Sequence, residues 1–430
     1  MIALVALLAA ATAQDTLRFA PGVHAGPLVI ERATVVLGAP GAVLRGTGRG
    51  SVLEIRAPRT TVRSLRIEGS GRDPDHYDAG VHVRADSVTL EDLEIRDVLF
   101  GVYVEQVRHV ILRRLDIEGP RRLRESEMGD GILFYYARDL VADSNRIAYV
   151  RDGIYFSYTD SVQVTGNRVS HVRFGLHYMF SHENRFAHNV FSDNAAGAVI
   201  MNSRGVVVED NVFAWNAGGR SYGLVLQTAT GPTVRGNLLV GNGVGVFFDN
   251  VVRGTVTGNV VAGNWLGMQL FSNSEDTRVT GNAVVGNTFD VAGGGGAPGQ
   301  YHFCADGRGN YWAAATADGY DLEGNGVLDR PHAASSPIAE LALTRGSLRL
   351  FLSSPAARAL EWAERTFPVF DVAGVVDACP LARAPRPEML ARLPPAPSGS
   401  VGGTRGQQIA GGVVFGAGLL VLVLARRRRP

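Results

Sequence analysis

Between Asn145 and Asn287 short apolar runs alternate with single polar positions on a steady beat. Asparagine recurs at 145, 167, 189, 211, 237, 259 and 282, in steps of 22, 22, 22, 26, 22 and 23 residues. A second asparagine falls five residues later at 194, 216, 242, 264 and 287, and glycine keeps the same beat at 131, 153, 175, 197, 223, 245 and 267. Self-similarity at a fixed period of this length marks a solenoid. Runs such as Gly153-Ile-Tyr-Phe-Ser157 and Gly245-Val-Phe-Phe-Asp249 are β-branched and aromatic, of strand length, and bounded by Gly, Asn, Ser and Asp. No window within a repeat carries the i, i+3, i+4, i+7 spacing of a helix. The pattern predicts an all-β chain wound as a right-handed, single-stranded parallel β-helix of about 22 residues per coil. One asparagine then stands at the same corner of every coil, stacked on its neighbours and tolerant of the left-handed backbone such corners need.

Strand alternation sorts the residues after each glycine. Positions one and three are apolar and predicted to point inward, so positions two and four point outward. The outward pairs run His82/Arg84, Tyr103/Glu105, Leu133/Tyr135, Tyr155/Ser157, His177/Met179, Val199/Met201, Val225/Gln227, Phe247/Asp249 and Gln269/Phe271. Met201 follows Met179 by one period, which stacks the two at a coil spacing of about 4.8 Å. One imidazole and two thioethers therefore share a patch that no outward carboxylate joins. Thioether sulfur is a soft donor that selects Cu(I), and imidazole suits copper too. His182 and His188 follow in the same coil as further donors. The competing reading is an apolar docking face, since Tyr135, Tyr155, Phe247 and Phe271 extend the band; the two are compatible. Met268 falls on the inward side.

Three coils are longer than the rest between the second strand and the glycine. Ile67 to Gly80 takes 13 residues, Ile117 to Gly131 takes 14 and Phe213 to Gly223 takes 10, where other coils use six. The insertions are predicted to leave one corner, carrying Asp73-Pro-Asp-His76-Tyr-Asp78, Arg121–Met128 and Gly218–Tyr222, as recognition loops or as drift in tolerant turns.

The remaining chain divides by composition. Residues 1–13 end Ala11-Thr-Ala13 and read as an export signal, although they lack the usual basic start. The coils are assigned to 14–310, a capping or docking segment to 311–382, with a short helix expected at 353–366, and a Pro-, Ser- and Gly-rich linker to 383–406. Residues 407–425 are read as a membrane span or a cleavable sorting tail; the uncharged run Ile409–Ala425 reaches about 25 Å. The basic end at 426–430 sits in the cytoplasm by the positive-inside rule. Cys304 and Cys379 are the only cysteines and form either one bridge or two free thiols. Asp321, Glu323, Asn325 and Asp329 alternate as in a calcium loop with Gly326 at the sixth place, but His332 stands where an acidic ligand belongs, which favours a polar turn. Net charge is +1, so electrostatics imply no nucleic-acid partner. All 42 basic residues are arginine, which excludes lysine-dependent chemistry.

The strings Arg151-Asp-Gly-Ile-Tyr-Phe-Ser-Tyr158, Arg173-Phe-Gly-Leu-His-Tyr-Met-Phe-Ser181 and Ala198-Val-Ile-Met-Asn-Ser203 resemble the central coils of the NosD family. Gly309-Asn-Tyr-Trp312, Gly319-Tyr-Asp321 and Asp329-Arg-Pro331 are similar to its C-terminal signature, and the likeness runs over most of residues 20–385. The resemblance implies a periplasmic, non-enzymatic, copper-associated protein that sits on an ABC transporter of an ATPase and a membrane subunit. It implies a part in loading the copper–sulfur centres of nitrous oxide reductase, with a copper-chaperone lipoprotein as donor and copper or sulfur as cargo. Carried onto this chain, His177, Met179, Met201 and His182 are the candidate metal ligands. The alternative is a β-helix polysaccharide lyase or uronan C5-epimerase, because Asp73-Pro-Asp75-His76 echoes the Asp-Pro-His-Asp string of alginate epimerases with its last two residues transposed. The outward band, as read from alternation, lacks the carboxylate and basic cluster that such an enzyme needs.

Overall fold

The computed structural model describes residues 15–218, 221–293, 300–317, 319–335, 337–344 and 374–390, with isolated positions between. From Asp15 to Trp312 the chain winds as a parallel β-helix with three faces, formed by sheets of 13, 13 and 12 strands. Each coil lays one strand on each face in turn, and strands pair in register with those one coil before and after. On the third face Tyr155 lies opposite His177, His177 opposite Val199, and Met179 opposite Met201. The interior is one continuous column of Val, Ile, Leu and Phe, including the fully buried Phe134, Phe156, Phe186, Phe191, Phe213 and Phe248.

Buried asparagines hold the register. The backbone N–H of Asn145 donates to Asn167 Oδ1, and the same bond repeats through Asn189, Asn211, Asn237, Asn259, Asn282 and Asn310 at 2.9 to 3.1 Å. Each Nδ2 also donates to the next Oδ1 and to a backbone carbonyl, as Asn167 does to Asn189 and Ala142. A shorter second ladder runs Asn194, Asn216, Asn242, Asn264 and Asn287. The stacking expected of asparagine is present, but the left-handed backbone falls on the residue before it. Ser144, Gly166, His188, Asp210, Gly236, Gly258 and Gly281 carry positive φ. The corner strain and the amide stack are thus divided between neighbours.

The three insertions do leave one corner, between the second and third faces: Arg66–Glu68 leads to Ala79–Val83, Asp116–Glu118 to Ile132–Tyr135, and Val212–Ala214 to Tyr222–Thr230. They lengthen the coil without moving its register, because the ladder crosses the 26-residue step from Asn211 to Asn237 unbroken.

The C-terminal end is closed by segments distant in sequence. Asp377 is fully buried and accepts from Asn310 N–H (2.7 Å), Trp312 Nε1–H (2.8 Å) and Cys379 N–H (2.9 Å). A carboxylate therefore terminates the asparagine ladder. Cys304 and Cys379 are bonded as a disulfide, which settles the choice left open by sequence. An unanticipated helix, Pro337–Thr344, sets Ala339 and Ala342 against Leu266 and Phe289; these small side chains let the helix lie close on the sheet. Ala384 and Met389 pack on the second face and Arg386 pairs with Asp210 at 3.1 Å, so the segment expected to begin a linker at 383 stays on the coils through Met389. In the proposed calcium loop Asp321 accepts from Asn325 and Gly326 N–H, and Asp329 from Leu322 N–H. These carboxylate oxygens are used within the turn.

Among the described residues no helix is long and apolar enough to cross a membrane. The leader at 1–13, most of the helix expected at 353–366, the span at 407–425 and the basic end at 426–430 lie outside the described residues.

Two outcomes follow. Asn211→Ala leaves the Asn189 N–H and the Phe186 carbonyl without their partners and costs roughly 3–5 kcal/mol, read as a lowered urea midpoint. Cys304→Ser removes a cross-link over 75 residues, nominally about 4 kcal/mol on chain entropy, and hydrogen exchange should quicken first at Asn310 and Trp312.

Candidate functional site

The outer surface of the third face carries the candidate residues. His177 and Met179 come from the strand Phe174–Met179 and Met201 from Ala196–Arg204. All three are half-buried, so the outward direction expected of them holds. Tyr155, one coil earlier, stacks on the His177 ring at 4.6 Å, and its hydroxyl lies 3.8 Å from Met179 Sδ. Phe174 meets the same imidazole edge-on at 5.1 Å. His182 is placed differently. The chain turns at Phe180 (φ 50°), and His182 lies past that turn, bridged to Arg204 at the far end of the strand that carries Met201. His188 is exposed and lies beyond the first-face strand Arg185–Ala187.

The patch also contains carboxylates, contrary to the outward list derived from alternation. Asp152 accepts from Arg173 through both oxygens, at 2.8 and 2.6 Å, and lies 2.7 Å from His177 Nδ1. Its side chain is 2 % exposed and that of His177 15 %. Asp130, one coil earlier, is buried, and its Oδ1 has no hydrogen-bond partner. The physical reason is a bend at the strand glycine. A Cβ on Gly153 would collide with the core residue Val169, yet Ile154 also points inward. Two successive inward positions reset the alternation, so the residue before the glycine emerges on the outer surface. That residue is Ala79, Phe100, Asp130, Asp152, Phe174, Ala196, Tyr222, Val244 and Leu266 in successive coils. Acidic residues occur in only two of these positions, and they are adjacent. This interruption of an apolar column was the available signal.

The two carboxylates have opposite electrostatics. Burial opposes the charge on Asp152, but the hydrogen bonds from His177 and Arg173 outweigh it and hold its carboxyl below the ordinary range. Burial, and then the Asp152 charge, push Asp130 up to about 7. Beside them Ala79, Leu99, Phe100, Tyr103 and Leu133 form an apolar cluster on the outer face, with Tyr135 and Tyr155 against it. Tyr77 from the first insertion stacks on Tyr103 at 4.7 Å. An insertion thus folds over the face beside the site.

Among the described residues no three His, Cys, Asp or Glu side chains converge as a metal site. What the face offers is a soft set: one imidazole nitrogen and two thioether sulfurs in neighbouring registers, flanked by an anion. Such a set suits a monovalent soft cation better than Ca²⁺ or Mg²⁺, which take oxygen ligands.

Fold and face together define a β-helical scaffold protein with a soft-donor patch on one sheet and loops gathered at one edge. The chain belongs to the NosD family. A protein of Pseudomonas aeruginosa named "Probable ABC transporter binding protein NosD" is 38% identical over 385 residues, covering 86% of this chain and 88% of that one. Its namesake from Stutzerimonas stutzeri is 35% identical over 390 residues, covering 87% and 88%. Residues 113–317 match the family described as "Periplasmic copper-binding protein (NosD)". Among solved structures, the mannuronan C-5 epimerase AlgE6 A-module of Azotobacter vinelandii is similar with a TM-score of 0.44 at 14% identity, covering 67% of this chain and 90% of that one. The GH136 lacto-N-biosidase of Eubacterium ramulus gives 0.45 at 12%, covering 67% and 62%. Nothing about chemistry follows from likeness at this level.

The raised Asp130 carboxyl carries a sign. The folded chain keeps a proton that the unfolded chain releases above about pH 4, so this group's stability contribution falls as pH rises towards 7. Asp130→Asn removes that dependence. Its melting temperature should match the parent near pH 4 and exceed it by several degrees at pH 8, in parallel thermal melts.

Proposed function

We propose that this chain is a periplasmic accessory protein of an ABC transporter system that receives Cu(I) on His177, Met179 and Met201 and passes it on during assembly of nitrous oxide reductase. The observation that carries the reading is the registered pair Met179 and Met201 on the outer face, two residues after His177 in the same strand. Three soft donors that exchange readily suit a carrier; a buried four-ligand site would retain its ion. The family description and the names of the two relatives support the compartment, the metal and the transporter. The partners are an ATPase, a membrane subunit, a copper-chaperone lipoprotein as donor and the reductase as acceptor. The corner loops at 69–78 and 119–131, with the described residues 215–218 of the third, are the docking elements, since they stand at the edge of the face that holds the cargo. His182 is left out of the ligand set because the corner at Phe180 separates it from that face.

The uronate-processing alternative is less well served. A sugar carboxylate needs a free cation beside the base, whereas Arg173 is held by both oxygens of Asp152, whose charge would repel it. His76, in the loop that echoes the epimerase string, is 80% exposed and bonded to Asp73.

The test is Cu(I) affinity of the purified protein by competition with a chromophoric chelator. The combined substitution His177→Ala, Met179→Ala, Met201→Ala should weaken binding by more than about 100-fold. Unchanged affinity removes the site, and an absorbance rise from unsaturated product on uronate polymers would favour the enzyme.

A further inference from the structure

We infer that Asp152 is a positioning residue for the metal, fixing the neutral His177 imidazole in the tautomer that leaves the Nε2 lone pair free. The inference rests on the copper-carrier reading and deepens it. An ionised carboxylate can only accept, so the 2.7 Å contact between Asp152 Oδ2 and His177 Nδ1 places the proton on Nδ1. The lone pair is then on Nε2, the nitrogen remote from the strand. Arg173 holds both Asp152 oxygens, so the carboxylate cannot rotate away. Tyr155 lies flat against one face of the ring and Phe174 meets it edge-on, which fixes the plane. The imidazole is thereby held at one nitrogen, at one face and at an edge, leaving a single free donor.

The arrangement serves the metal in a second way. Cu(I) bound by one imidazole and two thioethers keeps its full positive charge, because none of the three ligands is anionic. Asp152 supplies a negative charge one hydrogen bond away, in a setting where burial lessens screening by water. It also raises the donor strength of Nε2, as carboxylate partners of metal-bound histidines do. Only one of two adjacent carboxylates does this. Arg173 pairs with Asp152, whereas Asp130 Oδ1 has no hydrogen-bond partner.

The experiment uses the full chain with ¹⁵N-histidine labelling. Ten histidines are present, and His177→Ala identifies the relevant resonances. In the parent the His177 spectrum should show protonated Nδ1 and bare Nε2. Asp152→Asn should give a mixture of tautomers and weaken Cu(I) binding about 10- to 100-fold. Asp152→Glu should restore most of both. Arg173→Met, which frees the carboxylate to rotate, should lower stability and leave affinity between that of the parent and that of Asp152→Asn. Circular dichroism and melting curves confirm that each variant is folded. An unchanged tautomer or unchanged affinity in Asp152→Asn overturns the role, and so does a larger fall in affinity for Arg173→Met than for Asp152→Asn. Absence of tight Cu(I) binding by the parent removes the carrier reading and this role with it. A spectrum with the fixed tautomer and parental copper binding, but no effect of Asp152→Asn on affinity, removes the role alone.

Discussion

Side-chain amides bonded to the backbone of the neighbouring coil are the constraint on which the rest depends. Each asparagine in the column from Asn145 to Asn310 accepts from a backbone N–H and donates to a carbonyl. A slip of one residue would leave all of these groups unpaired in an apolar interior, at a cost of one to three kcal/mol or so for each. Packing already opposes a slip of one residue, which would turn the core side chains outward. A slip of two keeps Val, Ile and Leu inside and is resisted mainly by these bonds. The column therefore decides phase, and phase decides which side chains meet on the surface. Met179 and Met201 are neighbours for that reason.

Much of this was legible in the sequence. The period, the parallel β-helical winding and the outward direction of His177, Met179 and Met201 follow from counting, because asparagine and glycine mark each coil at fixed offsets. The insertions could be assigned to one corner for the same reason. Asp130 and Asp152 were not found, because alternation of period two was extended across Gly131 and Gly153, where two consecutive residues face the core. His182 was counted with the patch because sequence distance says nothing about the bend at Phe180. The helix Pro337–Thr344 has a mixed composition and no strong periodic signal of its own; its place is set by Leu266 and Phe289 beneath it. The Cys304–Cys379 pairing depends on Asp377 drawing a distant segment to the end of the coils, which no local pattern announces.

In the proposed carrier role, a rigid scaffold would handle a labile ion. Soft donors bind a soft cation by covalent character more than by charge, so thioethers alone give little electrostatic hold. Asp152, anchored by Arg173 and bonded to His177, supplies a fixed charge without entering the ligand set. The face is also flanked by packed aromatic residues, among them Tyr103 beneath Tyr77, which keep the surface beside it firm. The proposed ligands His177, Met179 and Met201 are carried on strands, whose geometry is set by register, and the variable loops lie to one side.

A coil that ends in open strands is a template for another copy of itself, since its last N–H and C=O groups point along the axis with nothing to bond them. Here that terminus is sealed by Asp377 below Asn310 and Trp312, and the seal is clamped by a bond that survives only where thiols are oxidised. Without that bond only hydrogen bonds and packing would hold the segment bearing Asp377 over the last coil, so reduction would loosen the cover on the unpaired groups at this end of the stack.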